Sequence, residues 1–202
     1  MTLSELDTPL GVILRDHGAM FAVRHGHGVA AHFGSVASET AVCLRSVGLA
    51  DRFGRVTFDV RGGLEAVAAA LTRLDTLGGC AWGGPVGANH AVVRCERSDH
   101  RACRAVLDED ADLVVEVTNG ERAALGLVGP RAEEVLHVAD LGAAPFAATV
   151  LRDRDGFEIL VPRRCGPEAW MHLLRCGRPF HIACVGFDAL EHLAVSRHAG
   201  KP

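Results

Sequence analysis

From residue 55 onward, short runs of alternating apolar and polar residues are separated by glycine, proline and asparagine. Arg55 to Val60 (RVTFDV) alternates and is rich in β-formers, which predicts a strand. Gly62-Gly63 then opens LEAVAAALTRLDTL, where Leu64, Val67, Ala68, Leu71 and Leu74 recur at helical spacing, and Gly78-Gly79 ends that helix. Short strands are expected over Ala81 to Val86 and Ala88 to Cys95. Ser98 reads as an N-cap for a helix from Asp99 to Asp108. Asp112 to Thr118 (DLVVEVT) reads as a strand and Asn119-Gly120 as a turn.

A second pass of the same kind follows. Ala123 to Val128 predicts a strand, and Gly129-Pro130 leads into a helix from Arg131 to Val138. Phe146 to Arg152 and Phe157 to Val161 predict two strands joined by an Asp155-Gly156 hairpin turn. Pro167 starts a helix over Glu168 to Cys176 that Gly177 closes. A short strand near Ile182 to Val185 and a helix from Phe187 to Val195 complete the pattern. Each pass has the order of a split βαβ, ferredoxin-like unit. The expected fold is therefore α+β, with two ferredoxin-like halves packed together and antiparallel-rich sheets. The division runs 1–54 (a hairpin within Phe21 to His32 and a helix Val36 to Val47), 55–120 and 121–202, as one compact folding unit.

Composition narrows the function classes. Of 202 residues, 49% are hydrophobic and 23% charged, which a globular core accommodates. A formal charge of −4 with scattered arginines gives no field for gathering nucleic acid. No stretch reaches the roughly 18 apolar residues of a membrane span. Glu5 and Asp7 are at odds with a signal peptide. Seven cysteines, an odd number, then point to free thiols in a reducing, cytoplasmic compartment.

Three segments carry a family likeness. His32-Phe33-Gly34-Ser35 with Glu39, then Val47-Gly48-Leu49-Ala50-Asp51, is similar to "HYG…E…VGLFD". Leu125 to Ala132 (LGLVGPRA), running into Glu134-Val135-Leu136, is similar to "LLALQGPKAxEVL". Asp155 to Pro162 (DGFEILVP), followed by the helix with Trp170, is similar to "EDGFEIYVP…LWDALL". In this order and spacing the chain resembles the folate-binding aminomethyltransferase superfamily, typified by the glycine cleavage T-protein, across most of residues 30–195.

The resemblance implies a cleft holding tetrahydrofolate, with a carboxylate accepting the paired N–H donors of the pterin. The family's glutamate in "GFEI" matches Glu158. Phe157 stands beside it in the motif, and Trp82 lies where the family's active-site stretch would be. Alternation alone equally allows Glu158 to be a solvent-facing strand residue.

Departures from the pattern matter for chemistry. The family's "NEDGGVIDDLIVYR" segment carries the aspartate that assists methylene transfer, whereas Gly78 to His90 (GGCAWGGPVGANH) contains no acid. In the C-terminal "GLGARDTLRLE" pattern the arginines fall on Leu190 and Ala194, and the acid on Ser196. This trimmed pattern resembles the gamma subunit of heterotetrameric sarcosine oxidase, a small superfamily member that works inside an assembly. Three functions follow as expectations. The first is a tetrahydrofolate-binding accessory or subunit protein of one-carbon or amine metabolism without complete transferase machinery, partnered by a larger enzyme subunit or a second copy. The second is an active aminomethyl- or methyltransferase using Asp51 or Asp59. The third is a structural interaction protein with a closed cleft.

Other constellations carry less. His25, His27 and His32 form RHGHGVAAH, but no HExxH or paired CxxC accompanies them, so no metal is expected. His100 with Cys103, and His181 with Cys184, share HxxC spacing, and Arg101 and Arg104 flank Cys103. A cysteine in apolar surroundings is nevertheless usually a small buried hydrophobe. No glycine run fits a phosphate-binding loop.

Overall fold

The computed structural model describes residues 8–24, 26–77 and 81–199. Its elements run α1 (Gly11–Asp16), β1 (Met20–Arg24), β2 (His27–His32), α2 (Val36–Arg45), β3 (Val47–Asp51), β4 (Val56–Arg61), α3 (Leu64–Asp75), β5 (Ala81–Gly87), β6 (His90–Cys95), α4 (His100–Leu107) and β7 (Val114–Val117). They continue with β8 (Arg122–Val128), α5 (Ala132–Ala139), β9 (Thr149–Asp153), β10 (Gly156–Pro162), α6 (Gly166–Gly177), β11 (Ile182–Cys184) and α7 (Phe187–Ala199).

The α+β expectation and the two ferredoxin-like passes hold. Strands β4 to β7 form a sheet in the order β5-β6-β4-β7, the arrangement of a split βαβ unit. Its alternating strands turn Val56, Phe58, Val60, Ala91, Val93 and Cys95 onto α3 and α4, where Val67, Leu74, Cys103 and Leu107 meet them. The second sheet runs β11-β3-β8-β10-β9. It is the same unit with one insertion: β3, from the N-terminal segment, lies parallel to β11 and antiparallel to β8. Leu125, Leu127, Ile159 and Val161 point from this sheet into a core with Leu10, just before α1, and with Leu14, Val135, Trp170 and Leu173 from α1, α5 and α6.

Helices α1 and α3 to α6 thus lie outside, and the two sheets face each other over part of their inner surfaces. There Val92, Ala124, Leu151 and Leu160 form a small apolar contact with Trp82 packed against it. The rest of the second sheet's inner face, at Ala50 and Val128, is covered by Cys43 of α2, Leu190 and Leu193 of α7, and Val185 from the link between β11 and α7. Buried Glu39 ties these parts together, accepting the backbone N–H of Phe33 and of Gly186, each at 2.8 Å.

Some expected boundaries differ. The second helix ends at Arg45 rather than Val47, because Val47 to Asp51 is a strand. Its first four residues are buried, and a strand covered on both faces shows no alternation. Ser98 does not cap α4. A 3₁₀ turn over Arg97–Asp99 precedes the helix, and no side chain caps its first turn. Gly129 is required where β8 turns into α5: φ is +128°, and a Cβ there would lie 2.5 Å from the Ser46 carbonyl oxygen and 2.8 Å from that of Cys43. Gly78-Gly79 and His25 fall outside the described residues.

Candidate functional site

Between the sheets, the apolar contact gives way to charge. Alternation along β10 sends Phe157 and Ile159 one way and Glu158 the other, into the space between the sheets, where Glu158 is fully buried. Arg94, the penultimate residue of β6, approaches from the opposite sheet and is only 2% exposed. Its Nη2 donates to Glu158 Oε1 at 2.8 Å and its Nε to Oε2 at 3.1 Å, a bidentate fork. The Trp82 indole Nε1 donates to the same Oε2 at 3.0 Å.

More arginines crowd this pair. Arg55 Nη1 lies 3.5 Å from Glu158 Oε1 and donates to Asp153 Oδ2 at 2.8 Å, while its guanidinium sits 4.2 Å over the Trp82 ring. Arg55 also pairs with Glu96 at 2.8 Å. Arg52 crosses Gly126, where a Cβ would lie 2.9 Å from its Nε; its nearest carboxylate oxygen is Asp153 Oδ2 at 3.9 Å. Burial, with Arg55 adding to it, lowers the Arg52 guanidinium to about 10. Burial alone would push the Glu158 carboxyl up, but Arg94 and Arg55 outweigh it and hold the group at about 2. The three guanidinium groups thus face two buried carboxylates, Glu158 and Asp153, and the half-exposed Glu96.

The other carboxylates considered as acid-base groups are engaged. Asp51 accepts the Thr8 hydroxyl at 2.6 Å and the Phe53 N–H at 2.9 Å, and burial raises its pKa. Asp59 lies 2.6 Å from His90 Nε2 and 3.1 Å from Arg122 Nη2, which reaches it from β8. Burial pulls the Asp59 carboxyl up, yet the His90 hydrogen bond and Arg122 bring it below the usual range.

Of the residues singled out in the sequence, Trp82 and Glu158 therefore meet, while Phe157 does not join them. The Phe157 ring lies under Arg152 at 5.4 Å and lines a surface groove of about 430 Å³ with Leu44, Pro130 and Arg154. A second groove, about 600 Å³, is lined by Thr8, Pro9, Glu121, Pro162, Arg163, Arg164 and Pro167. Neither groove includes Glu158, Arg94 or Trp82. Among the described residues no three His, Cys, Asp or Glu side chains are placed to hold a metal ion, and no helix is long and apolar enough to cross a membrane. Cys103 is fully buried, and the His100 ring stacks on Phe58.

Sequence reasoning missed Arg94. The signal was present: a single charge inside the otherwise apolar run HAVVRC, on the face opposite Ala91, Val93 and Cys95, demands a buried partner.

The fold is that of an aminomethyltransferase T-protein. The structure is similar to glycine cleavage system aminomethyltransferase T from Bartonella henselae, with a TM-score of 0.69 and 21% identity over 92% of this chain. The chain spans 60% of that protein's length. It also matches the heterotetrameric sarcosine oxidase from Corynebacterium sp. U-96, with a TM-score of 0.43 and 21% identity, covering 73% of this chain and 93% of the other. No family model and no curated protein matches.

Proposed function

We propose that the chain is a non-catalytic accessory or subunit protein with an aminomethyltransferase-like fold, whose recess between the sheets is closed by its own side chains. The observation that carries this reading is that both oxygens of buried Glu158 are taken, accepting two donors from Arg94 and one from Trp82. A pterin seeking that carboxylate would have to displace Arg94 and leave a guanidinium buried without its partner, which costs about 3–5 kcal/mol. The two carboxylates considered for transfer chemistry, Asp51 and Asp59, are both engaged by other groups.

The accessory role draws support from the sequence likeness to a sarcosine oxidase gamma subunit. A cytoplasmic setting suits the free cysteines among the described residues. Residues 1–54 would then complete the two halves, 55–120 and 121–202, as one folding unit.

Titration calorimetry with tetrahydrofolate tests the closed recess: the wild-type chain should give no saturable heat. Saturable heat abolished by Glu158→Ala would instead establish a tetrahydrofolate-binding protein, the alternative that the fold likeness keeps open. Turnover of a methylated amine by the isolated chain would overturn the non-catalytic reading.

A further inference from the structure

Two thiols meet in the first half of the chain, on the far side of its sheet from Glu158. Cys95 ends β6 and points to the helices, as its alternation with inward-facing Arg94 requires. Cys103 sits on α4 and, with Leu107, is one of the two buried side chains by which that helix packs on the sheet. Both cysteines are free and fully buried, and they hydrogen-bond to each other. A structural cysteine in a core usually touches only carbon. Here a second sulfur is in reach, and only the turn before α4 and the start of that helix separate the two along the chain.

The pair is polarised. Its hydrogen bond with Cys103, with burial adding to it, pushes the Cys95 thiol up. The same bond outweighs burial at Cys103 and brings that thiol below its ordinary value. Cys95 is therefore the donor, and Cys103 the sulfur readier to lose its proton and act as nucleophile. Access comes through α4. This helix is short, has no side-chain cap at its first turn and buries only two side chains, the profile of an element that opens locally.

We propose that Cys95 and Cys103 form a peroxide-responsive dithiol, in which Cys103 is oxidised first and Cys95 converts it to a disulfide that staples α4 to β6. The Cys103 thiolate attacks one oxygen of hydrogen peroxide, the O–O bond breaks, and the leaving hydroxide takes up the Cys103 proton as water, giving a sulfenic acid. The Cys95 sulfur then attacks the Cys103 sulfur, the S–O bond breaks, and the leaving hydroxide takes up the Cys95 proton as a second water. Two thiols lose two electrons and peroxide gains them. A dithiol reductant reverses the product. The cross-link closes a short segment, suppresses the opening of α4 and holds the end of β6 directly after Arg94. Where thiols are kept reduced, a disulfide that forms and reverses in this way reports on oxidant rather than bracing the fold.

Peptide mapping tests the pair in the intact chain. After hydrogen peroxide, denaturation and alkylation, trypsin should release residues 95–97 joined to residues 102–104, and dithiothreitol should separate them. Amide exchange across α4 should slow by at least ~10-fold in the oxidised protein, a change that oxidation elsewhere would not bring. Cys95→Ala should stop at the sulfenic acid on Cys103, which dimedone captures, whereas Cys103→Ala should leave Cys95 reduced. Cys165→Ala/Cys176→Ala should keep the cross-link. Full alkylation of Cys95 and Cys103 while Cys165 and Cys176 are oxidised overturns the proposal. So does a bond from either sulfur to another cysteine, or a cross-link that leaves exchange in α4 unchanged. Should the single variants fail to fold, the wild-type map and exchange decide alone. Neither readout depends on whether the recess at Glu158 is closed.

Discussion

Replacing Glu158 with glutamine tests the charge between the sheets. Glutamine keeps the length and shape of the side chain, removes its charge and turns one of its two acceptor oxygens into an NH2 donor. In the native protein the carboxyl is held at about 2 against an ordinary 4.5. That difference makes the ionised form worth ~3 kcal/mol to the folded state at neutral pH. The sign follows from proton uptake. Below pH 4.5 the unfolded chain binds a proton at this position, while the native chain does not until pH approaches 2, so acid favours unfolding through this group. Urea unfolding of both proteins from pH 7 to pH 2, at fixed ionic strength, reads the effect. The wild type should exceed Glu158→Gln by at least ~3 kcal/mol at pH 7. The gap should persist to about pH 4.5 and narrow by ~3 kcal/mol as pH falls toward 2. A gap that stays constant across that interval would refute the linkage, because the pair would then stabilise by shape rather than charge. Salt should change the gap little, since both partners are shielded from solvent.

Two further outcomes follow from packing. Gly129→Ala should cost ~3 kcal/mol and lower the Tm by about 10 °C, because the backbone is left-handed there and the new methyl meets two carbonyl oxygens; an unchanged melting curve would contradict the turn. Iodoacetamide should label half-buried Cys165 and Cys176 before the fully buried Cys43, Cys95 and Cys103. Cys184, whose thiol burial pushes up to about 11, should also lag, and peptide mapping by mass spectrometry would read the order. Rapid modification of Cys103 in the native state would place it outside the core.

Much of the architecture was readable because most strands are covered on one face by helices. Phe58 and Val60 point to α3 and α4 while Thr57 and Asp59 point inward, and that division leaves an alternating trace in the sequence. Strand β3 left no such trace, and its place between β11 and β8 depends on partners far away in the chain. The site was legible in half. The family likeness drew attention to Glu158 and, by position, to Trp82, while strand alternation puts neighbouring Phe157 on the other face of the sheet. Neither shows which cation meets the carboxylate. Arg94 and Glu158 are separated by 64 positions and brought together only when the two sheets face each other.

The inserted strand also bears on the order of events during synthesis. Residues 56–117 contain every strand of their own sheet, so that half can form once its last strand has left the ribosome. Val47–Asp51 is made earlier but has no partner until residues 122–128 appear, and its second neighbour, 182–184, arrives close to the end. A buried, apolar strand thus waits through most of translation beside a finished neighbour, a long-range pairing of the kind that slows folding and exposes chains to misassembly. Any fragment starting after residue 51 would lack the strip that joins β11 to the rest of its sheet.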